Sequence, residues 1–243
     1  MKKITLILLL CTVFFACRKK NLVYPSSSIE NGLVAYYPFD GNLNDLTPFR
    51  NHGVSSATFT SDRNQLPNKS LNFVANEFQS SNIPINLKSN YTFSFWIKMN
   101  SYDDGMAVME LTKDKSCSLN PQIWQWKDTI FLSTASNVDG RMPIMSLQRV
   151  KFGFEPPTWN HVLWTVKNDT TKLYVNGNMI NSKIVEWPDL TNVDLTLGNA
   201  GNHCTGDQGQ SNYHNQPSKV SIDEVRIYNR VLTQVEIAKL SIF

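Results

Sequence analysis

Three kinds of side chain in this 243-residue chain could do chemistry, and their spacing decides what that chemistry is. Glycoside hydrolysis needs two carboxylates a few ångströms apart, most simply on alternate residues of one strand so that both enter the same groove. The adjacent pairs Asp103-Asp104 and Asp223-Glu224 would send their side chains to opposite faces if extended, so neither supplies that geometry by itself. The histidines, His52, His161, His203 and His214, show no metal-protease spacing such as H-E-x-x-H. His161 lies in an apolar run and is expected to pack on or near a strand face. Trp124 and Trp126 stand two apart, so in a strand their rings share one face. Exposed, they would make a stacking platform for sugar rings; turned inward, they would be ordinary core. The segment 201–216 adds Asn202, His203, Asp207, Gln208, Asn212, Tyr213 and Asn215, a set of hydrogen-bonding groups with one aromatic, equally compatible with a ligand loop and a solvated one.

The start of the chain sets the compartment. Lys2 and Lys3 precede an apolar run from Ile4 to Ala16, too short to span a bilayer and suited to a secretory signal peptide over residues 1–16. Phe14-Phe15-Ala16-Cys17 resembles a bacterial lipobox, which makes Cys17 the expected lipidation site; Phe14 and Phe15 depart from the usual pattern. Residues 17–31, with Arg18-Lys19-Lys20, Pro25 and three serines, are expected to be a tether to a domain at 32–243. In an oxidising compartment Cys117 and Cys204 are expected to form a disulfide; the other use of these residues is zinc, with His203 and His214. Five of the 23 Lys and Arg residues lie before residue 21, leaving 18 against 20 acidic residues, a net −2 for the body. No basic run interleaved with aromatics follows, so nucleic acid is excluded as a partner.

The elements that must hold these residues are strands. Between Trp159 and Ile180 the sequence reads WNHVLWTVKNDTTKLYVNGNMI. Val162, Trp164 and Val166 alternate with His161, Leu163 and Thr165, the period of a half-buried strand. Lys167–Thr171 turns the chain, and Leu173-Tyr174-Val175 runs into Asn176-Gly177, which favours a tight type I′ hairpin. Further strands are expected at 33–39, 57–59, 71–74, 91–99, 106–112, 122–126, 129–135, 142–152, 194–198 and 221–228. Residues 91–99 are expected to be partly buried on both faces, and Pro38 suggests an edge or a strand end. Thr233 followed by Glu236 is a capping-box pair that opens a short helix running through Leu240.

The W-N-H-V-x-W-T-V run followed by K-L-Y-V-N-G-N resembles the central signature of bacterial laminin-G-like jelly rolls, in the concanavalin A-like lectin and glucanase superfamily. Gly32–Gly53 (GLVAYYPFDGNLNDLTPFRNHG), YTFSFWIK at 91–98 and SIDEVRIYNRVLTQVEIAKL at 221–240 resemble the same family in the same order. The resemblance implies an all-β fold, a two-sheet antiparallel β-sandwich of the jelly-roll, concanavalin A-like type with a short C-terminal helix. It also implies a calcium ion joining the start of the domain to its end, with Asp40, Gly41 and Asp223 as ligands and Asn42 or Asp45 unassigned. The other reading of these residues is that Asp40 only shapes its turn while Asp223 pairs with an arginine.

The Glu-x-Asp-x-x-Glu pattern of the glucanase relatives is absent. The chain is therefore expected to be a non-catalytic, lipid-anchored module of the bacterial cell envelope, on the outer membrane, that binds a glycan or another surface macromolecule. The candidate ligand residues are Trp124, Trp126, Asn202, His203, Asp207 and Tyr213. Its rivals are an adhesive protein–protein domain and a glycoside hydrolase or lyase of the same fold.

Overall fold

The structure, a computed structural model, describes residues 28–74, 76–100, 106–113, 118–126, 129–136, 148–151, 158–198 and 219–242. In chain order the strands are β1 (Leu33–Tyr37), β2 (Val54–Ser55), β3 (Thr58–Thr60), β4 (Ser70–Val74), β5 (Glu77–Asn86), β6 (Tyr91–Met99), β7 (Met106–Thr112) and β8 (Ser118–Trp126). There follow β9 (Thr129–Ser136), β10 (Gln148–Lys151), β11 (Trp159–Lys167), β12 (Thr170–Val175), β13 (Asn178–Ile184), β14 (Thr191–Gly198) and β15 (Lys219–Tyr228), then the helix α1 (Gln234–Leu240). They form two antiparallel sheets. One runs β13-β12-β11-β6-β15-β4-β3, with β1 also on β15; the other runs β10-β9-β8-β7-β14-β5-β2.

Alternation builds the core between the sheets. From the first sheet come Phe93, Phe95, Ile97, Val162, Trp164, Val166 and Ile222; from the second come Phe78, Met109, Leu111, Ile123, Leu195 and Leu197, all in one apolar cluster. Phe93 and Trp164 face each other across β6 and β11 and stack with ring centroids 4.5 Å apart. The β12–β13 turn has the predicted form, with Asn176 at φ 49° and Gly177 at φ 78°. Pro38 directly follows β1, as a strand-end proline should.

The β11 face expected to meet solvent is buried as well. Leu163, Tyr174 and Tyr228 on the outward side of this sheet pack against Leu232, Ile237 and Leu240 of the C-terminal segment. The helix that covers them begins at a complete capping box: Thr233 N–H donates to Glu236 Oε2 at 2.7 Å, and Glu236 N–H donates to Thr233 Oγ1 at 3.4 Å. Arg230 then bridges the helix and residues 28–31. Its guanidinium donates to both oxygens of Glu236 and to the carbonyls of Asn31 and Ser28. Ile29 packs on the same outer cluster. Residues 28–31, assigned to the tether by their composition, are thus part of the folded body, because Arg230 reaches back for their carbonyls.

Candidate functional site

A bulge in β15 brings a cluster of charged and polar side chains together. Along an unbroken strand Asp223 and Glu224 would point to opposite faces, but the register of β15 against β6 shifts between Asp223 and Arg226, and Glu224 takes φ 56°. The expected separation of the two carboxylates therefore fails, and both end on the outward face of the first sheet. Asp223 Oδ2 accepts from Arg63 Nη1 at 2.7 Å, while Glu224 accepts from the Tyr36 hydroxyl at 3.0 Å and pairs with Arg226. The Arg63 guanidinium lies 4.9 Å from the centre of the Trp96 ring, and that of Arg226 lies 4.1 Å from Tyr36. Beyond Trp96, His161 is fully buried with Nε2 at 2.8 Å from Ser94 Oγ.

Burial sets the electrostatics here. It pushes the Asp223 carboxyl up to about 8, with the Glu224 charge adding to the rise and Arg63 opposing it. It pulls His161 down to about 3, helped by the positive charges of Arg226 and Arg63, so the imidazole is neutral at ordinary pH. The pairing of Asp223 with an arginine was one of the two readings of the sequence, but the rest of the cluster was not legible in spacing, since Arg63 comes from the loop between β3 and β4, Ser94 and Trp96 from β6 and His161 from β11, and the bulge is what turns Glu224 toward them.

The residues assigned to calcium are distributed differently. Asp40 Oδ2 meets Lys69 Nζ at 3.0 Å and its side chain is 45% exposed, whereas Asp223 is 2% exposed and held by Arg63. Calcium needs six to eight oxygens around one point, and here each carboxylate has its own basic partner. The Gly41 N–H donates to the Phe39 carbonyl. Asp40 and Asp223 are each held by a separate basic partner, Lys69 and Arg63, so the donor set Asp40, Gly41 and Asp223 is not assembled around one point. Among the described residues no three His, Cys, Asp or Glu side chains are grouped to hold a metal. Asp45 has a structural part. Its carboxylate accepts from the Tyr36, Thr47 and Asn51 N–H groups and from Thr47 Oγ1, all within 3.0 Å, and this ties the loop after β1 to the strand.

On the second sheet, Trp124 stands opposite Phe131 and Ala107, and Trp126 opposite Thr129. Both strand positions have the parity opposite to Ile123, which is in the core. Their side chains, and Cys17, Cys117, Asn202, His203, Cys204, Asp207 and Tyr213 altogether, lie outside the described residues.

These two sheets, with their helix-covered outer face, define a class of fold that comparison with known proteins specifies. The chain belongs to the concanavalin A-like lectin/glucanases superfamily, through a laminin-G-type family whose model matches residues 60–238. Its fold is similar to domain 4 of AbnA, a GH43 extracellular arabinanase from Geobacillus stearothermophilus, solved with arabinotriose. The TM-score is 0.64 at 21% identity, over 86% of this chain and 98% of that domain. It is also similar to the binding domain of botulinum neurotoxin DC, solved with rat synaptotagmin II (TM-score 0.62, 15% identity, 88% of this chain) and with SialylT (TM-score 0.59, 14% identity, 88%). The chain spans about half, 52%, of those toxin domains. A comparison with curated protein sequences gave no match.

Proposed function

We propose that the chain is a non-catalytic binding module, exported and held at the outer membrane of the bacterial cell envelope by lipid on Cys17, whose ligand is a glycan or another surface macromolecule. The observation that carries this reading is the likeness in fold, over nearly its whole length, to a domain solved with an arabinose trisaccharide. The non-catalytic part rests on the sequence, in which the paired-carboxylate spacing of glucanases is missing.

The test is a glycan array probed with the purified protein, followed by titration of any ligand found, arabinotriose included. For an uncharged glycan the expected result is saturable binding lost in Trp124→Ala/Trp126→Ala, with no product released from the ligand; binding to no glycan would overturn the glycan reading. In cells, Cys17→Ser should free the protein from the membrane fraction and abolish fatty-acid labelling.

One observation favours a second reading, a protein–protein domain. The edge strand β13 exposes Met179, Ile180 and Ile184, the last at 82%, and an exposed apolar edge strand is a template for association with another chain.

A further inference from the structure

We infer that the outward face of the β11–β12 hairpin, where it meets the segment joining β15 to α1, is a groove for a carboxylate-bearing saccharide, recognised by Lys167 and Lys172. This site is on the first sheet and does not involve the tryptophans of the second.

The hairpin register builds it. Val166 and Leu173 turn into the core, which leaves Thr165, Lys167, Thr170, Lys172 and Tyr174 on the other face. Thr165 stands opposite Lys172, and Lys167 opposite Thr170. Hydroxyl and ammonium groups therefore alternate at the corners of a quadrilateral, and the two lysines are diagonal neighbours about 7–8 Å apart at the backbone. Val231, Leu232 and Gln234 form the wall of an open groove of about 550 Å³. Gln234 is fixed there, its Nε2 donating to the Gly177 carbonyl at 3.0 Å.

Two features define the ligand. First, neither lysine has a carboxylate partner among the described residues: Glu236 is taken by Arg230, and Asp169 in the adjoining turn is not part of the lining. Two like charges at this spacing repel, and an anion between them removes the repulsion. Second, the remaining accessible lining is the amides of Asn168 and Gln234 and the Thr170 hydroxyl, with Val231 along one side and Thr165, Tyr174 and Leu232 buried beneath them, which suits the hydroxyls of a saccharide. Phosphate is better served by the bidentate fork of arginine, and the one arginine nearby, Arg230, is committed to Glu236, Asn31 and Ser28.

The experiment is calorimetric titration of the purified protein with trimers of galacturonate, glucuronate and mannuronate, each alongside its methyl ester, which keeps the stereochemistry and removes the charge. At least one acid trimer should bind at least tenfold more tightly than its ester, and the affinity should fall as salt is raised. Lys167→Gln/Lys172→Gln, both at exposed positions, should weaken binding at least tenfold with an unchanged melting temperature. Trp124→Ala/Trp126→Ala should leave this binding intact, so loss of one site is distinguishable from loss of the other. Equal binding of acid and ester, full binding by the double-lysine variant, equally tight binding of triglutamate, or no acid trimer bound at millimolar concentration would each overturn the assignment.

Discussion

His161 is the residue whose ionisation has the clearest thermodynamic consequence. Its ring is enclosed between Trp96 and Ser94 on the outward face of the eight-stranded sheet, and burial holds it neutral down to about pH 3. The unfolded chain protonates it near 6.5. A folded-state value below the unfolded one means that acid favours unfolding, so His161 contributes stability at neutral pH that is lost as pH falls from about 6.5 toward 3. Between pH 7 and pH 5 that loss amounts to about 2 kcal/mol. Asp223 has the opposite sign: its raised value means that its contribution is fully present below about 3.8 and is lost as pH rises toward about 8. The wild-type curve therefore mixes two opposed terms, and a variant separates them. The difference in unfolding free energy between wild type and His161→Gln, measured by urea denaturation, should shrink by about 2 kcal/mol from pH 7 to pH 5. A difference independent of pH would show that the buried ring is not held neutral.

At the scale of elements, the C-terminal helix gives the sharpest prediction because it is short and depends on its first turn. Thr233→Ala removes the side-chain half of the capping box and should cost about 1 kcal/mol. Glu236→Gln should cost more, since this carboxylate also accepts from two nitrogens of Arg230 and is held down to about 2 mainly by that hydrogen bond. The stability it confers is present above about 4.5 and is lost as pH falls through about 2. Thermal unfolding of the two variants at pH 7 checks the order, and equal melting temperatures would refute it. The helix was legible in the sequence because its signal is local, and so were β6 and β7, whose observed limits match the apolar runs. β5 was missed: Glu77–Asn86 has polar residues at its centre, Pro84 inside it and Asn82 at φ 61° where the pairing with β14 shifts. Its alternation is real on each side of the kink, with Phe78 and Ser80 buried before it and Ile83 and Ile85 after it, but the phase changes between them. The β15 bulge was hidden for a related reason. Nothing in I-D-E-V-R-I marks Glu224 for a left-handed backbone, and the reason emerges only from the pairing. The first half of β15 pairs with β4 and the second half with β1, so the strand changes neighbour at that point.

At the scale of the whole molecule, the sheet order constrains the proposed Cys117–Cys204 disulfide. Cys117 immediately precedes β8, and Cys204 follows the end of β14 by six residues; β7 lies between these two strands. The register of both on β7 sets Ser118 beyond Thr112 and Gly198 back beyond Met109. The two anchor points are therefore about 22 Å apart, from roughly 20 Å along the strands and two interstrand steps of about 4.8 Å. Six residues reach at most about 20 Å, and a disulfide adds about 5.5 Å between its Cα atoms, so the bond is within reach of these two anchor points. In the chain-entropy model the bond contributes roughly 4 kcal/mol. Cys117→Ser and Cys204→Ser should then lower the melting temperature equally, with the double variant no worse than either single change, because both remove one bond. Peptide mass spectrometry of natively exported protein should recover the linked pair. Two alkylatable thiols, or additive losses in the double variant, would show that the segment after β14 takes another path.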